Sequence, residues 1–166
     1  MKNFINLIYT VLCVVAFNAN IASAEDDHSH SPHDGIVTPF TDRDRFTGEL
    51  ELKLHDDKGD LELWLTGIDE NTPFDIPLNS EIKVTFLDMD GKEVWLRARD
   101  NVDNEDEDGK ANIRSGKTNY FIFPGNTSES ADFLVGKDFS STVEVSFIAD
   151  GKLFNTDAFV LMPHAH

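Results

Sequence analysis

Cysteine is nearly absent from this chain. The only one, Cys13, lies inside an apolar run from Phe4 to Phe17, which Lys2 precedes and the small-residue segment 22–24 follows. This order is typical of a secretory signal peptide, residues 1–24, with cleavage after Ala24. The run is shorter than the about 20 residues that a membrane span needs, although an uncleaved anchor is the alternative. We expect an exported, periplasmic protein whose mature chain has no thiol for a disulfide, a nucleophile or a metal ligand, and no membrane insertion.

Basic residues are also scarce, with 14 Lys and Arg against 31 Asp and Glu and a formal net charge of −17. Nucleic acids and anionic membranes both attract basic surfaces, so neither is an expected partner. The acidic balance favours binding of cations, although it also serves solubility alone. The chain has no G-x-S-x-G, no H-E-x-x-H and no Gly-rich phosphate loop, and we therefore predict that it is not an enzyme.

Long helical patterns are missing, and most of the chain alternates apolar and polar residues with the period of two that is typical of strands. We predict strands at Arg45–His55, Leu61–Thr66, Ile82–Phe86, Val94–Ala98, Lys117–Pro124, Val143–Phe147 and Lys152–Leu161. Seven short strands separated by turns indicate an all-β fold, either an immunoglobulin-like β-sandwich of about seven antiparallel strands or a small β-barrel. Residues 25–45 are predicted as a polar, His- and Asp-rich lead-in and residues 46–166 as one domain.

Histidines concentrate at the two ends of the predicted mature chain. Five of the six are candidate metal ligands: His28, His30, His33, His164 and His166. Neutral imidazole suits Zn, Cu and Ni. The residues 34–44 reach roughly 36 Å when extended, so the two groups are able to meet, although incidental tails explain them as well. The sixth, His55, stands beside Asp56 and Asp57 and is interpreted as part of a polar turn.

An acidic loop provides a second candidate site. The run 104–109 matches the start of a calcium loop, but Ser115 stands where an EF-hand has its bidentate Glu. A looser calcium site formed by Asp103, Asp106 and Asp108 stays open, and a solvated loop is the alternative.

Four segments carry a resemblance to a known family. They are Pro32–Gly35 after the His-rich start, Gly48–Leu65, Ile82–Phe86 and the closing Leu153–His166. Together they resemble small periplasmic proteins encoded near heavy-metal efflux systems of the resistance-nodulation-division type, and the amino-terminal β-sandwich module of some of their adaptor subunits. The chain departs from that pattern at Asp34, where the family has Gly, and at Glu49, where it often has His.

The resemblance implies a Gram-negative periplasm and a role linked to metals. We therefore expect a periplasmic accessory protein that binds a divalent metal such as Zn, Cu or Ni, with calcium as the weaker choice. Its partners would be the metal ion and a periplasmic component of an efflux system. The alternative is a non-catalytic β-sandwich module that binds a protein or has a structural role.

Overall fold

The computed structural model describes residues 31–69 and 72–164. Within these ranges the chain forms twelve strands and one 3₁₀ turn, Asp132–Leu134. In chain order the strands are β1 Ile36–Asp42, β2 Arg45–Leu54, β3 Leu61–Gly67, β4 Ile76–Pro77, β5 Ile82–Phe86, β6 Lys92–Leu96, β7 Ile113–Arg114, β8 Lys117–Thr118, β9 Tyr120–Phe123, β10 Ser141–Ala149, β11 Lys152–Thr156 and β12 Phe159–Leu161. No helix in the described ranges is long and apolar enough to cross a membrane.

Nine of the strands form one antiparallel sheet, in the order β6-β5-β10-β11-β1-β2-β3-β9, with β12 also paired to β10. The two ends of this sheet meet. Arg97, directly after β6, and Ile122 in β9 exchange backbone hydrogen bonds of 2.9 and 2.8 Å. The all-β prediction is confirmed, and the nearly closed sheet fits the small-barrel alternative. The remaining strands form a small sheet in the order β4-β8-β7.

The interior is filled by the apolar half of each alternating strand. In β2 and β3 the inward side chains are leucines, and all of them are fully buried: Leu50, Leu52, Leu54, Leu61, Leu63 and Leu65. Phenylalanines pack edge to face beside them, with Phe40 at 5.2 Å from Phe74 and 5.4 Å from Phe147 between ring centres. Burying each such side chain stabilises the fold by about 1.5–3 kcal/mol.

The prediction of a polar lead-in over residues 25–45 is wrong from Ile36 onward. Strand β1 lies within that segment and pairs with β2 from Ile36↔Leu52 to Asp42↔Arg45. Only Thr38 and Phe40 of β1 are buried, and Pro39 separates them, so the apolar alternation that marks a strand is weak there. The last predicted strand is also divided, into β11 and β12.

The acid-rich loop after β6 packs against the protein and is not simply solvated. It covers the outer face of β2, β3 and β9. Asn104 is fully buried, and its Nδ2 donates to Thr118 Oγ1 at 2.8 Å and to the carbonyl of Tyr120 at 2.9 Å. Asp100 Oδ1 accepts backbone N–H groups from residues 102–104, and these bonds hold the pKa of its carboxyl below the usual value. The loop is therefore ordered by its own acids and amides.

Candidate metal centre

One imidazole and two carboxylates converge on this covered outer face. His55 follows β2, Glu62 lies in β3 and Glu107 belongs to the covering loop. His55 Nε2 lies 3.1 Å from Glu62 Oε2 and 3.8 Å from Glu107 Oε2. The three ligand atoms all lie within 4.8 Å of one another, and no other group of at least three potential His, Cys, Asp or Glu ligands forms in the described residues. These three residues, hereafter the triad, are the candidate metal ligands.

The second oxygen of each triad carboxylate is held by a neighbouring donor. Glu62 Oε1 accepts hydrogen bonds from the Tyr120 hydroxyl and, at 3.2 Å, from Arg99 Nη2. Glu107 Oε1 accepts a bond of 2.5 Å from Lys53 Nζ, whose side chain is almost completely buried. Such outer donors orient metal ligands and fix which oxygen faces the ion. Both Oε2 atoms are thereby directed towards His55.

The triad also shifts the protonation of its members. The hydrogen bond to Glu62 raises the pKa of His55 in spite of the opposing effect of burial. Burial acts to raise the pKa of Glu62, but hydrogen bonds from His55 and Tyr120 outweigh it and lower that pKa below its usual value. Burial raises the pKa of Tyr120, which therefore stays a neutral donor. A metal ion at the triad has to displace the proton from His55.

The donor set defines which ions suit the triad. One imidazole nitrogen and two carboxylate oxygens are borderline to hard ligands, which match divalent first-row metals better than the soft Cu(I). Three protein ligands leave a fourth position for water or another ligand, as in open zinc sites. Glu62 is almost fully buried while Glu107 is exposed, so the triad is accessible from the loop side.

Two of the five histidines predicted as ligands lie in the described ranges, and neither joins the triad. The His33 ring stacks on Trp64 with 3.9 Å between ring centres and 4° between planes. The His33 amide donates to Glu51 Oε1 at 2.9 Å, and the His164 amide donates to the Leu54 carbonyl at 2.9 Å. Both ends of the described chain therefore lie beside β2. The other three, His28, His30 and His166, lie outside the described residues, as does the predicted signal peptide.

The predicted calcium ligands Asp103, Asp106 and Asp108 are not brought together. Asp106 is buried, and its Oδ1 accepts the amides of Asp108 at 3.2 Å and Lys110 at 2.9 Å. Its Oδ2 accepts from Asn112 Nδ2 at 3.1 Å. The Asp106 carboxylate thus closes a turn of the loop, and the three aspartates form no ligand group within the described residues.

The interpretation of His55 as an ordinary turn residue missed the triad. The alternation of β2 points Glu51, Lys53 and His55 outward, and the hairpin register, Lys53↔Glu62, places Glu62 on the same face. The period of two and the length of the turn were therefore sufficient to predict that His55 and Glu62 lie close together. No feature of the sequence assigns Glu107 to this face, because its place depends on how the loop packs.

No family model, no curated protein and no solved structure matches this chain.

Proposed function

We propose that this is an exported protein that binds a divalent transition metal, Zn(II), Cu(II) or Ni(II), through His55, Glu62 and Glu107. One observation carries the proposal: three ligand atoms of suitable chemistry converge while donors from neighbouring elements hold the opposite oxygens of both carboxylates. Outer donors of this kind orient the ligands in established metal sites.

The biological role that we propose is binding and delivery of the metal in the periplasm, without catalysis, as an accessory to heavy-metal efflux. The signal-like start, the negative net charge and the His-rich ends support this role. Near the two ends of the described chain, His33 and His164 bond to Glu51 and Leu54 of β2, whose Cα atoms are about 10 Å apart by strand geometry.

Calorimetric titration of untagged, chelator-treated residues 25–166 with Zn(II), Cu(II) and Ni(II) tests the proposal. Two variants separate the two sets of candidate ligands: His55→Gln with Glu107→Gln, and a five-site His→Ala variant at residues 28, 30, 33, 164 and 166. Glu93→Gln is the matched control, because Glu93 also pairs with a lysine, Lys83, at 2.8 Å, but on the exposed surface. We expect one site that is lost in the triad variant and kept in the control.

Binding that survives in the triad variant and disappears in the five-site variant would move the metal site to the chain ends. Absence of binding in the wild-type protein would overturn the proposed function. His55, Glu62, Glu107, Lys53 and Arg99 would then form a structural network of ion pairs. The alternative from the sequence, a non-catalytic module that binds a protein partner, would then replace the proposed metal-binding function.

A further inference from the structure

A cavity of about 430 Å³ lies on the same covered face, next to the triad. Its volume falls within the range of small-molecule sites, about 300–1,000 Å³. The sheet side presents Glu49, Glu51 and Trp64, and the loop side presents Asp106, Lys110 and Arg114. No triad residue lines the cavity, although Glu107 belongs to the same loop.

The sheet side of the cavity carries negative charge that the described residues leave without a cation. Glu51 is only 6% exposed. Its Oε1 accepts the amides of His33 at 2.9 Å and Gly35 at 2.7 Å, and no hydrogen bond to its Oε2 is found among the described residues. Glu49, two residues earlier on β2, lines the same side. Because neither glutamate forms an ion pair within the described chain, an ammonium group would be favoured here.

The loop side carries one carboxylate, Asp106, whose two oxygens accept hydrogen bonds within the loop, and two cations, Lys110 and Arg114. Arg114 is fixed by Asp75, to which its Nε and Nη2 donate at 2.7–3.1 Å, and Nη2 also donates to Asn119 Oδ1. Lys110 is exposed and forms no ion pair among the residues that the structure describes. A carboxylate in the cavity would meet Lys110 directly and Arg114 beside it.

Two buried polar atoms in the residues that line the cavity also lack a protein partner in the described chain, namely Trp64 Nε1 and His33 Nδ1. Buried polar atoms are nearly always hydrogen-bonded, and an exception calls for an explanation such as a ligand or an ordered water. Both atoms belong to the aromatic stack on the sheet side. Because both atoms are closed to solvent, the class of the ligand is inferred from the charged groups.

We infer that this cavity binds a small zwitterion of the amino-acid or dipeptide class, with its ammonium group against Glu49 and Glu51 and its carboxylate against Lys110 and Arg114. Carboxylates without an ion pair on the sheet side, and Lys110 without an ion pair on the loop side, match a ligand with one charge at each end. The inference is independent of the metal centre, because the two sites share no residue.

Trp64 provides the optical readout for a test, since it lines the cavity. In the full protein with Trp95→Phe, in the presence of a chelator, emission of Trp64 is titrated with the free L-amino acids and with L-alanyl-L-alanine. Two blocked forms, N-acetyl-L-alanyl-L-alanine and L-alanyl-L-alaninamide, each lack one charge, and glucose is the uncharged polar control. We expect saturable binding of at least one zwitterion and at least tenfold weaker binding once either of its charges is blocked.

Lys110→Met is the variant of choice because Lys110 is exposed and its loss does not threaten folding, and Lys137→Met is its matched control elsewhere on the surface. We expect at least tenfold weaker binding in Lys110→Met and no change in Lys137→Met. Three results would overturn the inference: no response to any zwitterion, equal binding of charged and blocked forms, or saturable binding of glucose instead. Because the chelator removes metal, none of these outcomes bears on the triad.

Discussion

His55 and Glu62 are diagonal neighbours on the outer face of the β2–β3 hairpin, with 3.1 Å between Nε2 and Oε2. Diagonal positions on paired strands lie close enough for long side chains to interact. The pair is completed by Glu107 from a loop that is distant in sequence. A local hairpin therefore provides two of the three candidate ligands, and the packing of the loop provides the third.

The pair of His55 and Glu62 predicts how the stability of the metal-free protein varies with pH. Because the pKa of His55 is raised in the folded state, its contribution is fully present below the unfolded value, about 6.5, and is lost as pH rises through the folded pKa. The pKa of Glu62 is lowered in the folded state, so its contribution to stability depends on pH in the opposite direction. Its contribution is present above the unfolded value and is lost as pH falls through the folded pKa.

Urea unfolding at a series of pH values checks this dependence, with His55→Gln measured beside the wild type. We expect the free energy of unfolding of the wild type to fall as pH rises through the neutral range, and the variant to show a smaller fall there. Parallel curves for the two proteins would show that the pair does not contribute to stability.

Tyr120→Phe removes the hydroxyl that donates to Glu62 Oε1 while keeping the ring against Trp64, with 5.2 Å between ring centres. Leaving a buried carboxylate without this donor costs about 1–3 kcal/mol of stability. Loss of an outer donor typically weakens metal affinity by about 10–100-fold. Urea unfolding and a zinc titration measure the two effects. An unchanged zinc affinity in a protein of reduced stability would mean that Tyr120 does not orient the ligand.

Gly35 is required by the close approach of its turn to β2. A Cβ at this position would lie 2.8 Å from Glu51 Cγ and 3.0 Å from the Leu52 carbonyl. Gly35→Ala should therefore reduce the free energy of unfolding by about 1–3 kcal/mol, as overpacking does. Gly67→Ala is the matched control, because its nearest neighbour would lie 3.4 Å away. Equal effects of the two substitutions on urea unfolding would contradict this explanation.

His33 shields Trp64 from solvent, since their rings are stacked and Trp64 is only 3% exposed. His33→Ala in the Trp95→Phe background should shift the emission maximum of Trp64 to the red and reduce stability by about 0.5–1.5 kcal/mol. Steady-state fluorescence measures the shift of the emission maximum, and urea unfolding measures the loss of stability. An unshifted emission maximum would show that the His33 ring does not shield Trp64 from solvent.

Period-two patterns predicted the strands that are dominated by aliphatic residues. In β2 and β3 the leucines alternate without a break, and predicted and observed bounds agree within one residue. The same rule failed for β1, because Pro39 and two threonines dilute its apolar face. It also missed β4 and β7, because strands of two residues are too short to show an alternating pattern.

The site was less predictable than the fold for a physical reason. The terminal histidines were predicted as ligands because they cluster along the chain, yet the His33 ring stacks on Trp64. His55 and Glu62 are seven positions apart and meet only through the hairpin register. Glu107 reaches them from a loop that Asn104 anchors to Thr118. Contacts that depend on loop packing leave no local pattern in the sequence.

We propose that a divalent metal binds between His55, Glu62 and Glu107. Anomalous diffraction from crystals of residues 25–166 soaked with Zn(II) at the zinc absorption edge tests it most directly. We predict one strong peak at about 2.0–2.2 Å from His55 Nε2, Glu62 Oε2 and Glu107 Oε2. A peak at the terminal histidines, with none between these three side chains, would show that the triad is not the metal site.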